Sequence, residues 1–180
     1  MGRTSLWVLL PLAALVSTAA LAAGGERLAS PAVPGFVAGY AAANDEQSIR
    51  EEVPRGETVQ AWTRMITTQR FTGVAARVSP AAYVATIRVQ LDQSCPGASA
   101  SPILRLTIGG HAAARFRADC PDSGGQPESF LLLAIAGRSD MHVKQAAVRG
   151  ATTPASLTWG ERLLAATVLC EPADRRAVCR

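Results

Sequence analysis

Ile103-Leu104-Arg105-Leu106-Thr107-Ile108-Gly109-Gly110-His111-Ala112-Ala113-Ala114-Arg115-Phe116-Arg117-Ala118-Asp119 reads as two strands joined at a glycine turn. Leu104, Leu106 and Ile108 alternate with Ile103, Arg105 and Thr107 on the first arm. Ala112, Ala114, Phe116 and Ala118 alternate with Ala113, Arg115, Arg117 and Asp119 on the second. Period two on both arms is the pattern of a half-buried hairpin. Matching the apolar faces predicts a three-residue loop, Gly109 to His111. Ile108 then faces Ala112, Leu106 faces Ala114 and Leu104 faces Phe116. A two-residue loop would set Leu104 opposite Arg115, which burial disfavours.

Further hairpins flank this one. Ser129 to Gly137 is apolar on both parities, as in a strand covered on both faces. Arg138-Ser139-Asp140 can turn, and Met141 to Arg149 returns. Upstream, Phe36 to Ala42 and Gln47 to Val53 are strands about the turn Asn44-Asp45-Glu46, and Arg64 to Phe71 is rich in β-favouring residues. Two helices interrupt the strands. Ser79-Pro80 starts the first, with Ser as cap and Pro at the first helical position. Tyr83, Val84, Ile87 and Leu91 recur at helical spacing, and Cys95-Pro96-Gly97 stops the helix. Thr152-Thr153-Pro154 opens the second, with Leu157, Leu164 and Val168 on one stripe, weakened by Gly160. The order β-β-β-α-β-β-β-β-α predicts an α+β fold. Its sheet is mainly antiparallel, of about six to seven strands, with both helices packed on one face.

The N-terminus has the parts of a secretory signal. Arg3 supplies charge, Leu6 to Leu15 an apolar core, and Ala20-Leu21-Ala22 a small-x-small cleavage pattern. The apolar run is too short to span a bilayer. No Arg-Arg pair precedes the apolar core and no Cys lies near the cleavage pattern, which argues against twin-arginine export and a lipid anchor. The expected organisation is a signal peptide over 1–22, a flexible lead rich in Gly, Ala, Ser and Pro over 23–34, and one domain over 35–180. The expected location is periplasmic or secreted, with no membrane span after cleavage. Four cysteines in an exported chain imply two disulfides. Cys95–Cys120 and Cys170–Cys179 are favoured, because each closes a short loop. No C-x-x-C pair supports zinc.

The formal charge of +4 is too mild to imply nucleic acid. Seventeen of the eighteen basic residues are Arg, and Lys144 is the single Lys; genome composition accounts for this bias. Glu52 to Thr67, with Val53-Pro54, Gly56-Glu57-Thr58-Val59, Trp62-Thr63 and Met65-Ile66-Thr67, resembles a segment of uncharacterised exported proteobacterial proteins. A later Cys–Cys segment and the strand Val143-Lys144-Gln145 to Arg149 are similar too. The β-β-β-α order is similar to the Mog1/PsbP-like α/β/α sandwich. The resemblance implies no activity and no cofactor; PsbP-like proteins are assembly or binding modules.

Catalytic constellations are missing. His111 falls in the predicted turn and His142 on the outward parity of a strand. No G-x-S-x-G elbow is present. Glu51, Glu52 and Glu57 cluster, but neighbours on a strand point to opposite faces. A hydrolase using such acids with His142 is the rival reading. Gly109-Gly110 and Gly124-Gly125 lack the context of phosphate loops. Trp62 and Trp159 read as core anchors. The remaining candidate is basic. In the register above, Arg105 faces Arg115, and Arg117 lies two residues along. Like charges opposite one another destabilise a sheet, so Asp119, another acid or an anionic ligand should neutralise them. The sequence therefore points to a non-enzymatic module that binds a small anionic ligand or an envelope protein partner.

Overall fold

The computed structural model describes residues 25–180. The proposed signal peptide lies outside them. The elements are β1 (Arg27–Ala29), β2 (Phe36–Ala43), β3 (Gln47–Pro54), β4 (Arg64–Phe71), α1 (Pro80–Ser94), β5 (Ser99–Ala100), β6 (Leu104–Ile108), β7 (His111–Cys120), β8 (Glu128–Ala136), β9 (Met141–Arg149), α2 (Pro154–Ala165) and β10 (Val168–Cys170). The fold is α+β. Eight strands form one sheet in the order β2-β3-β4-β9-β8-β7-β5, with β6 also on β7, and every pairing is antiparallel.

The local signals act as expected. Ser79 accepts a hydrogen bond from Ala82 N–H, and Pro80 opens α1. Thr153 and Ser156 cap α2 reciprocally. Strand β8 is buried along Ser129 to Ile135 because both its faces are covered.

The two helices do not share a face. On one side α1 brings Ala81 and Val84 against Phe116, Phe130, Leu132 and Val143. Phe116 and Phe130 meet edge-to-face there, 5.7 Å apart. On the other side α2 packs Leu164 against Leu131, Leu133 and Ile135, and Leu163 against Ile66 and Ala146. The expectation of both helices on one face is therefore wrong. Burying both parities of β8 requires cover on both sides, and one helix goes to each.

Three further readings change. The hairpin turn has two residues, not three. Gly109 and Gly110 both have positive φ, 58° and 88°, as a type I′ turn requires. Ile108 pairs with His111, Leu106 with Ala113, Arg105 with Ala114 and Leu104 with Arg115. Burial does not oppose this register, because Leu104 lies at an open end and stays 51% exposed. Arg27–Ala29, read as part of a flexible lead, pairs instead with Val168–Cys170. Val168 accordingly lies in β10, beyond the end of α2.

Disulfides join Cys95 to Cys120 and Cys170 to Cys179, with Cα atoms 5.9 and 5.6 Å apart. The first ties the end of α1 to the end of β7. The second secures the tail beside β1, where Ala29 packs on both cysteines.

Candidate functional site

Alternation along β9 puts His142, Lys144 and Ala146 on the α2 side of the sheet. Helix α2 covers Ala146. The segment that follows β1 lies beside Lys144 instead. Lys144 is 6% exposed, and its Nζ donates to Ser30 Oγ at 3.0 Å. A cavity of about 320 Å³ opens here between the segment and the sheet. Its polar wall is Arg27, Ser30, Arg50, Glu52, Thr68 and Lys144; its apolar wall includes Leu28, Val33, Phe36 and Ile66.

Register explains this convergence. Arg50 pairs with Thr68, and Thr68 with Lys144, so one transverse row crosses three strands on one face. Two of the three cations are already engaged. Arg50 pairs with Glu52 at 3.3 Å, and Arg27 donates to the Cys179 carbonyl. Lys144 has only its bond to Ser30 among the described residues. An ammonium carries three donors, so two remain available. Burial pulls Lys144 below the ordinary lysine range; Arg50 reinforces this and Glu52 opposes it.

A hydroxyl beside a buried amine is also the pairing of Ser–Lys hydrolases. Ser30 is followed by Pro31, however. An oxyanion site cannot take the next backbone N–H, because proline has none. A buried ammonium with donors to spare can also receive an anion.

The arginines singled out from sequence do not assemble. Arg105 lies opposite Ala114 on the α1 side, whereas Arg115 and Arg117 share the other face. The facing Arg105–Arg115 pair does not exist, because the turn is one residue shorter. Arg117 is satisfied locally. Its guanidinium donates to Asp119 Oδ1 at 2.6 and 3.1 Å, and Ser129 Oγ donates to the same oxygen at 2.6 Å.

The acids do not converge either. Glu51 pairs with Thr67 and Glu52 with Ile66, on opposite faces. Glu57 accepts from Thr63 N–H and Oγ1, at 2.6 and 2.8 Å. His142, read as a surface residue, is 2% exposed. Its Nε2 lies 4.0 Å from Glu26 Oε2 with no hydrogen-bond partner. Burial lowers its pKa, while Glu26 and Asp140 oppose that shift. His111 opens β7, with Nδ1 3.2 Å from the Ala136 carbonyl. Trp62 is a core anchor, with the Arg149 guanidinium 4.1 Å over its ring. Trp159 stacks on Phe36, and Arg64 lies over both rings. Cys170, Asp174 and Cys179 come together, but both cysteines are in a disulfide and offer no thiolate to a metal.

Lys144 and Ser30 were missed as site residues. One signal was available: the only lysine of the chain stands in the middle of a strand rich in apolar residues. Ser30 carried none, because its segment read as a loose lead.

No protein-family model and no curated protein matches the sequence. Among solved structures, the chain is similar to PA94 of Pseudomonas aeruginosa, a protein of unknown function. Identity is 20% and the TM-score 0.47, over 67% of this chain and 78% of that one. A Bacteroides thetaiotaomicron protein matches at 9% identity and a TM-score of 0.45, over 84% of this chain and only 50% of that one. LpqN of Mycobacterium tuberculosis, involved in cell envelope biogenesis, matches at 12% identity and a TM-score of 0.43, over 81% of this chain and 84% of that one. Two disulfides fit an exported protein. Among the described residues no helix is long and apolar enough to cross a membrane.

Proposed function

We propose that the protein is an exported, non-enzymatic binding module, and that its ligand is a small anion with an apolar portion. The observation that carries this reading is Lys144, buried in a cavity wall with one hydrogen bond and two free donors among the described residues. Retaining a lysine in such a place costs stability, and an anion bound against it would offset that cost. Glu52 pairs with Arg50 and also favours the Lys144 charge, but Lys144 makes no ion pair among the described residues and is the cation left for a ligand. Phe36, Val33 and Ile66 supply apolar contact beside it. A periplasmic or secreted location agrees with the disulfides.

The test is native mass spectrometry of protein made with its own leader and purified from periplasm, beside Lys144→Met. The reading expects an adduct that is lost on denaturation and absent from the variant. It fails if wild-type protein carries no adduct and shows no calorimetric binding to medium-chain and aromatic carboxylates. It fails equally if Lys144→Met binds them as well as wild type does.

A further inference from the structure

Strand β2 ends the large sheet, and among the described residues no strand pairs its outer edge. Natural proteins guard such edges with charge, proline, shortness or a bulge, and of these β2 has only a bulge, between Ala38 and Tyr40. Strand β2 is eight residues long, Phe-Val-Ala-Gly-Tyr-Ala-Ala-Ala, with neither a charge nor a proline. Every residue from Ala38 to Ala43 is exposed, Tyr40 included. The other edge is different. It is divided between β5, of two residues, and β6, of five, with Pro102 between them.

A second copy fits β2 better than any other strand of the molecule does. The two edges are unlike in length and continuity, so head-to-tail addition would leave much of β2 unpaired. Antiparallel pairing of β2 with itself is isologous and closes around a twofold axis. One bulge interrupts β2, between Ala38 and Tyr40. It lies at the middle of the strand, so an axis there leaves a regular half on each side to pair.

Charge supports the same orientation. Exposed Asp45 and Glu46 follow the end of β2. Exposed Arg55 stands beside its start, where its N–H donates to the Gly35 carbonyl at 2.7 Å. None of the three is in a salt bridge among the described residues. Antiparallel pairing lays the end of one β2 along the start of the other. The acids of each copy then meet Arg55 of the other, twice per dimer. We infer that β2 is the interface of a twofold homodimer, in which the sheet continues from one copy into the next.

Sedimentation velocity and light scattering over a wide concentration range test this on the mature, oxidised protein. Wild type should dimerise. Arg55→Glu alone, and Asp45→Arg with Glu46→Arg, should each weaken the dimer about tenfold, a change of about 1.4 kcal/mol. Combining all three substitutions should restore it, which also shows that the variants fold. A wild-type protein that stays monomeric up to the highest concentrations overturns the inference. So does a dimer indifferent to the single reversals, whose interface lies elsewhere. This experiment is independent of the ligand reading, because Asp45, Glu46 and Arg55 do not line the Lys144 cavity.

Discussion

Gly160 of α2 rests directly on Leu131 of β8: a Cβ at residue 160 would lie 2.7 Å from Leu131 Cδ1 and 3.3 Å from Ala146 Cβ. The glycine that weakens the helix is what lets it sit on the sheet. Gly160→Ala should therefore destabilise the protein. Overpacking costs about 1–3 kcal/mol, and helix propensity returns only about 1 kcal/mol. A lower urea midpoint with unchanged slope is the expected result. A rise would show that Leu131 swings aside at no cost.

Lys144→Met should stabilise the protein while removing anion binding. Replacing buried charges with apolar groups gains about 1–4 kcal/mol where geometry permits. The pH dependence follows from the sign of the shift. Burial lowers the folded-state pKa of Lys144, so the unfolded chain holds the proton more tightly. The penalty is complete below the folded value and fades as pH rises from there to the unfolded value of about 10.4. Thermal melts should show a gap between variant and wild type that shrinks as pH rises toward about 10.4.

His142 gives the opposite end of the profile. Its pKa is lowered by burial, against the pull of Glu26 and Asp140. The unfolded chain takes up this proton first. Stability should fall once pH drops below the unfolded histidine value of about 6.5, and keep falling to the folded one. Arg70, His111 and Arg138 also surround this end of the sheet. His142→Asn should flatten that part of the melting profile. An unchanged profile would assign the acid sensitivity to the carboxylates.

Removing the disulfides separately should cost unequal amounts. Cys95 and Cys120 are 25 residues apart and Cys170 and Cys179 are 9 apart. Loop-closure entropy predicts about 3.5 kcal/mol for the first and about 2.6 kcal/mol for the second. The paired Cys→Ala variants should rank in that order by denaturant midpoint. The second loss should also weaken anion binding, because the Cys179 carbonyl holds Arg27 at the cavity.

Strand and helix limits were legible wherever a few neighbouring residues decide them. Arg64–Phe71, Met141–Arg149 and the start of α1 at Pro80 stand where pattern and capping put them. The hairpin register was not, because either loop length satisfied alternation. Two glycines free to take positive φ chose the shorter one. That single residue moved Arg105 to the far side of the sheet from Arg115 and dissolved the basic pair.

The sequence by itself determined the α+β class and the run of antiparallel hairpins; it favoured one of three pairings of the four cysteines, and the structure fixed it. Periodicity, caps, turns and short loops are properties of neighbouring residues. Only the tertiary structure decided that the helices take opposite faces, that Arg27–Ala29 joins a sheet, and that Ser30 meets Lys144. Those two residues stand 114 positions apart. Their meeting depends on how β1 docks on β10 and how β9 sits in the sheet, which no local pattern along the chain encodes.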